Sequence, residues 1–241
     1  MNGPGFAARS DVGRVRAGNE DRYLARPPLF AVADGMGGHR AGEVASALAI
    51  ELLERTTLES GGSELDVIVD ALERSNTAIR ERARARRALA GMGTTCTVAV
   101  VTDGLVHVGH VGDSRAYRFR AGDLEQLTDD HSLVATMVRD GVLDPDEARN
   151  DARRNIITRA LGAEDHVDVD VVSSDLASGD RIVLCSDGLS GQVRDDAIVA
   201  VLATESDPRR AVDRLVDLAN EAGGDDNVTV IVIDPDRLSG R

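Results

Sequence analysis

The stretch Thr94–Asp113, TTCTVAVVTDGLVHVGHVGD, decides how the rest of the chain is read. Thr94 to Val101 is rich in β-branched residues, and Leu105 to Val111 is a second run of the same kind. Asp103-Gly104 between them is a strong hairpin signal, so the two runs pair antiparallel. The second run then ends in Gly112-Asp113, a carboxylate at the tip of a strand. That arrangement recurs on both sides. Phe30 to Ala33 runs into Asp34-Gly35, and Ile182 to Ser186 runs into Asp187-Gly188. Asp225-Asp226-Asn227 opens onto the apolar run 228–233.

Around this centre the period alternates between sheet and helix. Residues 1–25 are polar and hold an edge strand, and 29–33 form a short buried strand. From Gly42 the apolar residues fall at helical spacing: Val44, Leu48 and Leu52 share a face. Gly61-Gly62 breaks that helix. Ser63 caps the next, whose buried face is Ile68, Leu72, Ser75 and Ile79 and whose tail, Arg80 to Arg87, is basic and exposed. Strands follow at Arg115–Arg120, Leu124–Leu127, Val167–Val172 and Arg181–Ser186. Residues 130–160 are polar, broken by Pro145, and read as short helices in a mobile insert. Two more helical patterns occupy 195–204 and 208–222. Strands are grouped and helices are grouped, which predicts α+β with a largely antiparallel sheet and a layered sandwich. No internal repeat is present, and at 241 residues the chain fits one domain of generous size or two small ones.

Composition narrows the function. The chain has 241 residues, 42% of them hydrophobic but only 2% aromatic, so the core is built from Val, Leu, Ile and Ala. Its formal net charge is −14, which disfavours nucleic acid and anionic membranes as partners. Lysine is absent, which excludes a P-loop, a kinase strand lysine and a Schiff base. Cys96 and Cys185 lie inside apolar runs and read as buried, inert thiols. No secretory signal or membrane-length apolar run is visible, so a cytoplasmic setting is expected. The all-arginine, alanine-rich usage points to a high-GC bacterium.

The aspartates differ in context. Asp103-Gly104 is flanked by strand on both sides and is a turn without further function. Asp34-Gly35 leads through Met36-Gly37-Gly38-His39 into a helix, and Asp187-Gly188 through Leu189-Ser190-Gly191 towards another; a hairpin explains neither. Several carboxylates without basic neighbours repel one another unless a cation neutralises them. The five histidines lack ligand spacing, and His107 and His110 read as structural. The available donors are oxygens, which favours Mg²⁺ or Mn²⁺ over Zn²⁺. Arg16 lies five residues before Asp21 in a polar segment; it reads either as a solvated loop residue or as a bidentate phosphate ligand.

These segments together resemble the protein phosphatase 2C-type family of metal-dependent Ser/Thr phosphatases in its compact bacterial form. The pieces occur in order: Arg16-x-x-Asn19-Glu20-Asp21; Asp34-Gly35-Met36-Gly37-Gly38-His39; Gly93-Thr94-Thr95; Val111-Gly112-Asp113-Ser114-Arg115; Ser186-Asp187-Gly188-Leu189; and Gly224-Asp225-Asp226-Asn227-Val228-Thr229. The resemblance implies an α-β-β-α sandwich of two antiparallel sheets flanked by helix pairs, with a small flap insert at about 130–160 beside the active site. It implies two Mn²⁺ or Mg²⁺ ions and a weaker third. Asp34 would bridge the two, the Gly35 carbonyl would hold one, and Asp187 and Asp226 the other. Asp113, with Asp187, matches the third site. Asp21 would act through metal-held water, with Glu20 beside it, and Arg16 would bind phosphate. The implied reaction is hydrolysis of phosphoserine and phosphothreonine in proteins by direct attack of water held between the metals. Phosphorylated proteins are the expected partners, and the chain is expected to be a monomer. Met36 stands where eukaryotic members carry a histidine proposed as general acid, which leaves metal-bound water or His39 as candidate donors. Two other readings remain open: a catalytically silent phosphatase-like binding module, and a phosphatase dedicated to one regulatory partner.

Overall fold

A computed structural model describes residues 5–37, 41–58, 63–102 and 104–238. In chain order the elements begin with β1 (Phe6–Asp11), β2 (Arg22–Arg26), β3 (Leu29–Ala33) and the short β4 (Gly35–Met36), followed by α1 (Ala41–Glu54) and α2 (Glu64–Ala85). Next come β5 (Gly93–Thr94), β6 (Cys96–Thr102), β7 (Leu105–Val111), β8 (Arg115–Arg120) and β9 (Asp123–Gln126). The insert carries α3 (Leu133–Arg139) and α4 (Pro145–Ala148). Then follow β10 (Asp170–Asp175), β11 (Arg181–Cys185), α5 (Asp187–Ser190), α6 (Asp195–Thr204), α7 (Pro208–Glu221) and β12 (Val228–Ile233).

Two five-stranded sheets form, in the orders β1-β12-β11-β8-β9 and β10-β7-β6-β3-β2. Their pairings are antiparallel throughout. The central strands are continuous apolar runs because both of their faces are covered. The alternation along each strand assigns those faces. Ala31, Ala33, Val98 and Val100 point to α1 and α2, where they meet Ala45, Ala49, Leu53, Leu72 and Ile79. Phe30, Val32, Ala99 and Val101 point the other way, against Ile182, Leu184, Ile231 and Ile233 of the opposing sheet. Val183, Cys185, Val230 and Val232 in turn face Leu202, Val212, Leu215 and Val216 of α6 and α7. Three apolar layers therefore separate four layers of structure, the expected α-β-β-α sandwich. Phe6 and Phe30 meet edge to face between the sheets at 5.4 Å, a favourable aromatic geometry.

Local chemistry agrees with these elements. Ser63 caps α2 by accepting from the Asp66 amide, and Asp207 caps α7 ahead of Pro208; both satisfy amides that a helix start leaves open. At Gly109 a Cβ would sit 2.2 Å from Ile68 Cγ2, so the glycine lets α2 lie close on β7. Thr102 pairs with Leu105, the expected hairpin, although Asp103 itself lies outside the described residues, as do Gly61 and Gly62.

Four expectations need correction. Residues 1–25 hold two edge strands rather than one, β1 on one sheet and β2 on the other. The run from Thr94 breaks at Thr95: β5 peels off to pair with β4, while Thr95 turns its hydroxyl to the Asp34 amide. The strand expected at 167–172 starts at Asp170 and reaches Asp175, because register with β7 pairs Asp170 with His110 and Asp175 with Leu105. Val167 and Val169 are spent instead on packing against the α1–α2 core. The tail of α2 is not wholly free either, since Arg80 and Arg84 both bond Asp165. Among the described residues no helix is long and apolar enough to cross a membrane.

Candidate metal centre

Antiparallel pairing delivers the strand-tip acids to one end of the sandwich. Arg22 pairs with Ala33, so Asp21 and Asp34 emerge side by side from β2 and β3. Cys96 pairs with Val111, which places Gly112-Asp113 beside the loop that enters β6. The Ser186 amide bonds the Thr229 carbonyl at 3.0 Å, which brings Asp187 to the start of β12 and so to Asp226.

Each acid is held differently. Asp21 is only 2% exposed, and its Oδ2 accepts from Ser186 Oγ at 2.8 Å and Thr229 Oγ1 at 2.7 Å. Thr229 is itself bonded to Ser10, which accepts from Asn19. The Asp34 backbone is clamped: its amide donates to Thr95 Oγ1, and its carbonyl accepts from the Thr95 amide and the Thr94 hydroxyl. The Asp34 and Asp187 carboxyls are close enough to influence each other's titration. Asp226 accepts from Arg16 Nη2 at 2.6 Å and from the Asn227 amide at 2.8 Å. Two glycines permit the approach. A Cβ at Gly35 would lie 2.2 Å from the Gly42 carbonyl oxygen and 2.7 Å from that of Glu20, and one at Gly188 would lie 1.9 Å from the Asn227 carbonyl oxygen.

The electrostatics are those of crowded acids. Burial, then the Asp187 and Asp226 charges, push Asp21 up to about 7 against its two hydroxyl bonds. Burial and Asp226 push Asp187 up to about 6, opposed by the neighbouring Asp34 carboxyl and by Arg16. Asp34 is raised well above the carboxylate range by burial and by Asp21, Asp187, Asp113 and Asp226. Burial, then Asp187 and Asp130, raise Asp113 as well, and burial raises Glu20. By contrast Cys96 and Cys185 are buried thiols pushed up to about 12 by desolvation, and they carry no nucleophilic chemistry.

Three carboxylate oxygens here, Asp21 Oδ1, Asp113 Oδ1 and Asp187 Oδ1, are buried without a hydrogen-bond partner. An unpartnered buried carboxylate oxygen is costly unless a cation meets it. Hard oxygen donors of this kind suit Mg²⁺ or Mn²⁺. Among the described residues no group of three or more His, Cys, Asp or Glu side chains is drawn together closely enough to hold an ion as it stands.

The structure thus gathers Asp21, Asp34, Asp113, Asp187, Asp226, Gly35 and Arg16 at one end. Arg16 is engaged with Asp226 while its side chain stays exposed. His39 lies outside the described residues. His110 is structural, bonded to Thr97 Oγ1 and the Asp129 carbonyl. A cleft of about 600 Å³ opens from the acids towards α3 and α4. Sequence reasoning missed the hydroxyls of Ser10, Thr95, Ser186 and Thr229, and the latch role of Asn227. The Asn227 side chain accepts from the Glu20 amide at 2.8 Å and donates to the Val12 and Gly18 carbonyls, both at 2.9 Å. A signal did exist: a hydroxyl within a fully buried strand, such as Thr229 in β12, must have a polar partner.

Comparison with known proteins agrees with this geometry. A family model described as protein phosphatase 2C matches residues 17–228. The serine/threonine protein phosphatase PstP of Mycobacterium tuberculosis is 43% identical over 230 residues, covering 95% of this chain and 44% of that protein. The chain thus spans less than half the length of that relative. The serine/threonine phosphatase stp of Listeria monocytogenes is 37% identical over 238 residues, covering 95% and 94%. Among solved structures, the catalytic domain of PstP in complex with two manganese ions superposes with a TM-score of 0.88 at 42% identity, covering 95% and 96%. Stp1 of Staphylococcus aureus superposes at 0.90 with 34% identity, covering 96% and 94%.

Proposed function

Because the chain belongs to the protein phosphatase 2C family, we propose that it hydrolyses phosphoserine and phosphothreonine esters in proteins, using Mn²⁺ or Mg²⁺, as a single catalytic domain over residues 1–241. The observation that carries this reading is the set of buried, partnerless carboxylate oxygens on Asp21, Asp113 and Asp187 beside Arg16. Asp34, the Gly35 carbonyl, Asp187 and Asp226 are the proposed holders of two ions, and Asp113 with Asp187 of a third. Bound ions supply Lewis acidity, offsetting phosphoryl charge and making water a stronger acid. The chain's own residues do the rest. Arg16 swings from Asp226 to grip two phosphoryl oxygens, a bidentate contact that only a guanidinium makes. Asp21 accepts a proton from water at its free Oδ1, while Ser186 and Thr229 fix its other oxygen. Glu20, on the same segment, is the proposed second carboxylate for ordering that water. No side chain is needed as nucleophile. Phosphorylated proteins are the proposed partners and the cytoplasm the proposed setting.

The test is hydrolysis of a phosphothreonine peptide with and without Mn²⁺, alongside Asp187→Asn. Manganese-dependent turnover that is lost in the variant is the expected result. Substantial turnover in excess EDTA would sink a metal-centred reaction. Absence of turnover with metal still bound would favour a silent binding module.

A further inference from the structure

The cleft is longer than the chemistry needs. Its volume of about 600 Å³ lies within the range that encloses a drug-sized ligand, about 300–1,000 Å³, several times a lone phosphoryl side chain. One half is floored by Asp113, Asp187 and Asp226. The other half is built by the insert, where Val134 and Val138 of α3 and Ala148 of α4 form an apolar floor. Arginines stand at its edge, and their partners divide them into two kinds. In the acid half, Arg16 and Arg115 are committed to Asp226 and Asp130. In the insert half, Arg139 donates only to the Thr136 hydroxyl at 3.2 Å, and Arg154 has no carboxylate partner among the described residues. Two arginines that line the cleft without a carboxylate partner among the described residues are free to meet an anionic ligand.

The wall that presents them is anchored. Arg149 reaches across and donates to the Ser190 carbonyl at 3.0 Å and the Val193 carbonyl at 3.1 Å, tying the insert to the C-terminal end of α5. At its root the Leu133 amide bonds the Ile156 carbonyl, and the Thr158 amide bonds the His131 carbonyl. A groove with an apolar floor, a fixed wall and guanidinium groups at its rim takes an extended peptide with an anionic side chain over the rim.

We propose that the insert half of the cleft is a second anion subsite: Arg139 and Arg154 bind a carboxylate or a second phosphoryl group on the substrate peptide, a few residues from the phosphoresidue being hydrolysed. This rests on the proposed phosphatase reading and refines it to a substrate class, phosphopeptides with an acidic or phosphorylated flank. The contact is the same in the ground state and the transition state, so it lowers KM and leaves kcat alone. Exposed guanidinium pairs are screened, so the preference weakens as salt rises.

The experiment measures Mn²⁺-dependent kcat and KM on a phosphothreonine peptide series. One flanking position at a time carries Ala, Glu or a second phosphothreonine. Each peptide is run with the full chain and with Arg139→Gln/Arg154→Gln, with p-nitrophenyl phosphate turnover measured on every preparation. The expected result is a KM about tenfold lower for the anionic flank at one side of the phosphothreonine, with the difference collapsing in the double variant and in high salt. A Glu effect equal to the phosphothreonine effect identifies a carboxylate as sufficient; an effect of the second phosphothreonine alone identifies a doubly phosphorylated substrate. Equal KM for all flanks, or a preference that survives in the double variant, overturns the subsite while aryl phosphate turnover leaves the phosphatase reading standing. No turnover of peptide or aryl phosphate by the full chain overturns both.

Discussion

Acids at the two ends of β12 behave in opposite ways. At the end of β12, Asp234 is buried but sits 2.8 Å from Arg181 Nε and 3.3 Å from Arg237 Nη1. Burial raises its pKa, and the two arginines pull it back. Arg181 is satisfied further by the Leu202 and Glu205 carbonyls. Around the start of the same strand, Asp21, Asp34, Asp113 and Asp187 have no arginine bonded to their carboxylates among the described residues: Arg16 is engaged with Asp226 and Arg115 with Asp130. A buried carboxylate with an arginine belongs to the scaffold. A group of them with oxygens left unpaired is held ready for something the chain does not itself contain.

The largest expected difference is in activity. Asp187→Asn should lower kcat/KM on the order of 10²–10³-fold, yet raise the melting temperature in EDTA, because it removes one buried charge from a repelling group. A lower Tm in chelator would contradict the repulsion argument. At the other end, Asp234→Ala strands the buried Arg181 guanidinium and should cost about 2–4 kcal/mol, leaving kcat untouched; a denaturant titration paired with kinetics reads both. An activity loss as large as its stability loss would erase the distinction between the two sites. Asn227→Ala should fall between them in kind. It frees the 12–21 loop that carries both Arg16 and Asp21, so kcat/KM should drop about tenfold with little change in the unfolding midpoint.

The smallest effect is that of pH on the metal-free protein. Asp21 is pushed up to about 7 from an ordinary carboxylate value of 3.8, so between those limits the folded state binds more protons than the unfolded one. Stability therefore rises as pH falls through 7. Below pH 6.5 the opposite contribution of His110, pushed down to about 4 by burial, sets in. The clean comparison is pH 8 against pH 6.5 in EDTA, where Tm should be about 3 °C higher at the lower pH. Asp21→Asn should reduce the difference; an undiminished slope in that variant assigns it to the neighbouring Asp34, Asp113 and Asp187, which burial and mutual charge also raise.

Much of this was legible in the residues. The run 228–233 is a strand with those bounds, since six buried apolar and β-branched residues between a glycine-rich turn and a proline admit little else. The helices at 195–204 and 208–222 fall where the spacing and Pro208 put them. The acids were found because glycines after strands mark close approach to something. Less legible was the shift of β10, because Val167 to Val172 satisfies a strand pattern as well as Asp170 to Asp175 does, and only register with β7 chooses between them. The arginines of the insert carry no local signal at all: Arg139, Arg149 and Arg154 read as ordinary polar residues until α3 and α4 fold over the cleft.

By itself the chain therefore determined its period-two and period-3.6 segments, its capping residues, and the carboxylates that end its strands, because those are short-range consequences of side-chain shape and polarity. Tertiary structure alone decided which carboxylates would be answered by arginine and which left open. Ser186 and Thr229 lie 165 and 208 residues from the Asp21 they bond, and Asp226 lies 210 from Arg16. Charge repulsion and hydrogen-bond satisfaction act over a few ångströms of space, and no local pattern records which distant segments the sheets will bring within that reach.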